Sequence, residues 1–77
     1  MALRDALNTA ESVLLYYLGA ARAYRDLHLQ AARDYAVRGQ RADAAIEIAL
    51  ARAAQRRAIS ALRSLREYRA AGDRRTA

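Results

Sequence analysis

Six arginines lie between Arg52 and Arg69, and Glu67 is the single acid among them. Arg52, Arg56, Arg63 and Arg66 recur at steps that place them on one side of a helix. From first to last the stripe covers roughly 21 Å at the helical rise. Guanidinium groups carry planar pairs of donors that match phosphate oxygens. A stripe of this length can meet several duplex phosphates, so the chemistry it suggests is charge-driven, sequence-independent binding of nucleic-acid backbone. Base-edge reading is not expected, because no recognition-helix pattern of Asn or Gln runs among the arginines. An anionic lipid surface and a solvated, ion-paired helix face are the other readings of the same stripe.

Catalytic chemistry has little to stand on. The chain holds one His, three Ser and no Gly-rich phosphate loop. His28 lies at a helix seam position between Tyr24 and Ala31 and reads as a packed or interface residue. No Ser or carboxylate is spaced to pair with it in a nucleophile–base arrangement. Asp26, Asp34, Asp43 and Glu47 are scattered among arginines and read as ion-pair partners, Asp34 with Arg38 for example. With no Cys and a single His, thiolate metal sites and a His-based metal cluster within one chain are excluded. We expect no enzyme, no cofactor and no small-molecule substrate.

The elements that must position the arginines are helical. The chain has no Pro and three Gly in 77 residues. Hydrophobic residues make up 55%, but 21 are Ala while Leu, Ile and Val together number 15. Ala forms helix well and fills a core poorly, so long contacts are expected instead of a thick core. So small a chain without disulfides or metal is expected to take its stability from partner chains. All 14 basic residues are Arg and the net charge is +6. The first 40 residues carry five Arg against four acids, and the remainder nine against four. Arg in place of Lys reflects either GC-rich coding or selection for anion contacts and heat resistance; one Asn, one Met and no Cys fit a thermophile. The longest apolar run, Val13 to Leu18 with Gly19 to Ala21 behind it, stops at Arg22. Neither a membrane span nor a secretory signal is expected.

Apolar positions alternate in steps of four and three through Leu3, Leu7, Ala10, Leu14, Tyr17, Ala21, Tyr24, His28, Ala31 and Tyr35. This heptad pattern predicts one long helix over about 3–38. Asn8 and Glu11 form a possible capping box, but the seam already running through Leu3 and Leu7 favours the earlier start. Gly39 suits the left-handed position after a helix end, and the turn is expected over about 39–42. Asp43 reads as the N-cap of a second helix over about 43–70, followed by a frayed basic tail at 71–77. The inner face of that helix is expected at Ile46, Leu50, Ala53, Ala54, Ala61, Leu65 and Tyr68. Arg57 falls within it, so either Arg57 pairs with an acid across the hairpin or the face is rotated by one position. The fold class is all-α: a single antiparallel two-helix hairpin over 1–77 with a coiled-coil-like seam.

That hairpin has more apolar surface than one seam can use. Ile48 and Ile59 share a face opposite Ile46 and Leu50. Val13, Leu15, Tyr16 and Leu18, with Leu27 and Leu29, widen the first helix beyond its seam. Val13, Leu15, Tyr16, Leu18, Ile48 and Ile59 are therefore the expected self-association residues, which complete the fold in a homo-oligomer or polymer. A third short helix or a bend covering them is the alternative. Tyr17, Tyr24 and Tyr35 are read as packing residues.

Two resemblances bear on function. Tyr35-Ala-Val-Arg-Gly39-Gln-Arg-Ala-Asp-Ala44, with Ile48 and Ala51, resembles the turn and second helix of a tetratricopeptide repeat. Arg66-Glu67-Tyr68 and Gly72-Asp73-Arg74 echo it 33 residues later. The family's Trp and Leu-Gly positions fall on His28, Ala31 and Ala32, and its closing Pro on Arg56. This resemblance implies a small helical adaptor that binds a partner protein. By architecture and composition alone, a short, Cys-free, Arg-bearing hairpin with apolar surface on more than one side is similar to the coat proteins of rod-shaped and filamentous archaeal viruses. That resemblance implies side-by-side hairpins in a helical tube, arginines holding DNA, and residence in the virion; otherwise a cytoplasmic protein is expected. The leading expectation is a non-enzymatic structural protein such as a capsid or nucleoprotein coat subunit, with the adaptor as the alternative.

Overall fold

The computed structural model describes residues 3–76, with side chains from Asn8 to Asp73. Two helices account for almost all of it: α1 over Leu3–Val37 and α2 over Arg41–Thr76. They run antiparallel as the expected hairpin, in a bar of 57 × 17 × 12 Å. Its radius of gyration is 17.3 Å, against about 11 Å for a compact chain of this length. Each helix therefore has one neighbour, and the remainder of its circumference faces outward.

The turn is shorter than expected and is closed by a Schellman motif. Gly39 has φ 76°, the left-handed conformation that glycine takes without a Cβ clash. The Gln40 amide donates to the Tyr35 carbonyl at 2.9 Å and the Gly39 amide to Ala36 at 3.0 Å. The Arg38 guanidinium donates to the Asp34 carbonyl at 3.2 Å and lies over the Tyr35 ring. The Gln40 carbonyl accepts the first bond of α2, from the Ala44 amide at 3.0 Å, which makes Gln40 the N-cap. Asp43 is one turn inside, where its charge still favours the helix dipole. Nor does α2 stop near Ala70; it continues through Gly72 to Thr76.

The seam between the helices is a heptad on both sides. On α1 it runs Glu11, Leu14, Leu18, Ala21, Arg25, His28, Ala32, Tyr35, every one buried or half-buried. On α2 it runs Ala44, Glu47, Ala51, Ala54, Ala58, Ala61, Leu65, with the same burial. Leu18, Ala21, Ala58, Ala61 and Leu65 form the core cluster, with Leu14 and Leu62 packed against it. Alanine leaves only methyl groups between the helices, which favours separations at the low end of the ~8–10 Å range.

This seam corrects two expectations. On α1, Leu14, Ala21, His28 and Tyr35 face inward as expected, but Ala10, Tyr17, Tyr24 and Ala31 give way to Glu11, Leu18, Arg25 and Ala32. On α2 the face turns away from Ile46, Leu50 and Tyr68, all exposed. The reason is polar matching. The rotation that occurs lets His28 Nδ1 meet Glu47, Arg25 donate to Gln55 at 2.8 Å and Arg69 donate to Glu11 at 2.9 Å. Three half-buried polar seam residues of α1 thereby gain partners on α2, which replace the water they give up. No buried side-chain nitrogen or oxygen lacks a partner among the described residues.

Candidate nucleic-acid interface and assembly faces

Arg52, Arg56, Arg63 and Arg66 lie on the ridge of α2 that points away from α1, and all four are exposed. Ile59 sits at the centre of this ridge, one turn from Arg56 and one from Arg63, and is also exposed. None of the four arginines is bonded to a described carboxylate. Other arginines are committed to the fold. Arg69 holds Glu11 through Nη2 at 2.8 Å, and Arg25 bridges Asp26 and Gln55. Arg25 and Arg69 thus use their donors on the hairpin, whereas the ridge arginines, like Arg57, keep theirs.

The six expected association residues do not form one surface. Val13 lies on the face of the bar that carries Tyr17 and Tyr24, which we call the front. Leu15 and Ile48 lie on the opposite, back face, and Tyr16 and Ile59 on outer ridges; all five are exposed. Leu18 is the correction: it is 7% exposed and belongs to the core. It occupies a seam position of the heptad that actually packs, so it is unavailable to another chain.

Sequence reasoning missed the most continuous apolar stripe. Ala10, Val13, Tyr17, Ala20, Tyr24, Leu27 and Ala31 recur in steps of three and four along the front of α1 and carry no charge. Tyr17 is 62% exposed and Leu27 equally so. Ile46, Leu50 and Ala53 continue the apolar front across α2, Ile46 at 59% exposed. Between the helices is a groove of about 460 Å³ lined by Leu14, Tyr17, Ala20, Ala21 and Tyr24 on one side and Arg57, Ser60, Ala61 and Ser64 on the other. Arg57 is exposed there and bonded to no described acid, which resolves its ambiguity in favour of a rotated face. The signal for this stripe was present, since four of its members stood in the expected seam. A heptad reading cannot separate two stripes one position apart without knowing which one packs.

His28 is half-buried against Glu47, and its ring stacks on Tyr24 with centroids 6.1 Å apart. No group of three or more His, Cys, Asp or Glu suited to a metal ion occurs among the described residues. No described helix is long and apolar enough to cross a membrane. No protein-family model, curated protein or solved structure shows significant similarity to the chain.

Proposed function

We propose that this protein is a structural subunit that self-assembles through its outward apolar faces and binds nucleic-acid backbone through Arg52, Arg56, Arg63 and Arg66, as a coat or nucleoprotein subunit does. The observation that carries the reading is an inversion of size. The hairpin puts methyl groups at seven of its buried positions on α1 and α2, Ala21, Ala32, Ala44, Ala51, Ala54, Ala58 and Ala61, while Ile46, Ile48, Ile59, Leu27, Tyr17 and Tyr24 stay exposed. Exposed groups of that size on two faces mark surfaces to be covered by other chains. The unpaired ridge supplies the polyanion site, which remains open when the flat faces are covered. The resemblance to archaeal rod and filament coat proteins, in architecture and composition alone, accounts for both features together, and under this reading the protein resides in a virion.

Electron microscopy and light scattering of the purified chain, with and without duplex DNA, test this. Large regular assemblies are expected, and Ile48→Asp, on the back face, should block them while leaving circular dichroism unchanged. A helical monomer at millimolar concentration, with or without DNA, would overturn the reading. The groove beside Tyr17 and Tyr24 favours a second reading, an adaptor that receives a helix of another protein. A defined heteromeric complex with neither polymer nor DNA affinity would support it. The repeat form of that adaptor has less support, because α2 passes Arg56 without a break.

A further inference from the structure

We infer that the front face is a two-fold interface with a second copy of the same chain, its axis crossing the bar at Tyr17. The inference rests on the self-association reading and names one interface within it. The front stripe of α1 is an unbroken apolar heptad from Ala10 to Ala31, the pattern of a helix with a second helical neighbour. Within the hairpin that neighbour is missing, since α2 occupies the other seam.

The occupant is a second copy because the face complements itself. A two-fold axis across the bar lays each helix antiparallel on its own counterpart, so residues equidistant from the axis meet. About Tyr17, the ring of Tyr24 meets Ala10 of the second copy, large against small, and Val13 falls within about one residue's rise of Ala20. The Glu11–Arg69 and Arg25–Gln55 contacts fix the register of the hairpin, and they set Tyr17 level with Arg63 on α2, one residue from Leu62. Leu62 lies midway between Arg57 and Glu67, two charges of the front stripe of α2 that are exposed and bonded to no described residue. The same axis therefore brings each Arg57 to within about 3 Å, along the bar, of Glu67 of the second copy, inside the reach of the two long side chains. The two Tyr17 rings enter the groove that Ser60 and Ser64 line.

The area is sufficient. From their exposed fractions, Val13, Tyr17, Tyr24 and Leu27 alone offer roughly 500 Å² per copy, and the intervening Ala, Ser, Arg57 and Glu67 bring the face towards the ~800 Å² per partner of a standard interface. The arginine ridge and the back face stay outside it.

The Cys-free chain allows a direct test. Tyr17→Cys places a thiol beside its own copy on the axis, whereas Ser12→Cys, exposed on another side of α1, serves as the control. Mild oxidation should convert most of the Tyr17→Cys protein to a covalent dimer and little of the control. In a parallel series, Arg57→Glu or Glu67→Arg should weaken dimerisation by about tenfold or more, and the double exchange should restore it. Equal cross-linking of both Cys variants, or no rescue by the double exchange, overturns this interface. A wild-type chain that never associates overturns the self-association reading itself, so the two failures are distinguishable.

Discussion

The four ridge arginines make a quantitative prediction about salt. Each is exposed and free of a described carboxylate, so each can replace one condensed counterion on a phosphate. Four such contacts give a slope of log affinity against log salt of about −3.6 for duplex DNA. Raising monovalent salt from 50 to 200 mM should then weaken binding by about 150-fold. Removing one guanidinium, by Arg56→Gln for instance, should flatten the slope by about 0.9, and replacing all four should abolish most of it. Fluorescence anisotropy with two unrelated duplexes of equal length measures this, and both should behave alike because backbone contacts carry no sequence information. Arg69→Gln is the internal control. Arg69 is engaged by Glu11 and lies off the ridge, so its loss should leave the slope nearly unchanged. A wild-type slope shallower than about −1, or a slope indifferent to the quadruple replacement, would refute the assignment of the ridge to phosphate.

Stability should follow the seam that packs. Leu65 is 1% exposed, and Leu65→Ala should cost about 2–4 kcal/mol in chemical denaturation, whereas Ile46→Ala, at an exposed position, should change the hairpin by no more than about 0.5 kcal/mol. The glycines should respond with opposite signs. A Cβ at Gly19 meets nothing within 4 Å, so Gly19→Ala should stabilise the helix by about 0.5–1 kcal/mol, while Gly39→Ala, at φ 76°, should cost about 1–2 kcal/mol. If covering the front and back faces contributes to the fold, Tm should rise with protein concentration. A Tm constant over a hundredfold range of concentration would count against that coupling.

The hairpin itself was legible because its cues are local. Absence of Pro, abundance of Ala, heptad spacing and Gly39 each act within a few residues. Half of the α1 seam was also legible, at Leu14, Ala21, His28 and Tyr35. The rotation of each helix was not, and the cause is physical. Apolar side chains occur on two adjacent stripes of α1, and periodicity weighs Tyr17 above Arg25 although Arg25 is the one that packs. What decides is pairing across the hairpin: Glu11 with Arg69, Arg25 with Gln55 and His28 with Glu47. Those partners lie far apart in sequence, where spacing within one helix says nothing. Leu18 was misread for the same reason. The ridge arginines were placed together from spacing alone because an exposed stripe on one helix needs no knowledge of its partner.

In the proposed reading the chain uses three directions for different ends, and charge links them. The seam is built from small side chains and paired polar groups, which makes the bar thin and leaves the front face largely apolar, with Leu15 and Ile48 exposed on the back. Covering those faces brings copies together, yet each copy carries a net charge of +6. Stacking such subunits accumulates positive charge, and that repulsion works against a compact assembly. The ridge concentrates four of these charges where neither broad face reaches. A polyanion lying along the ridge neutralises them at no expense to the apolar contacts. In the proposed reading, nucleic acid is then more than cargo: it removes the repulsion that opposes growth, so binding along the ridge and packing through the faces reinforce each other.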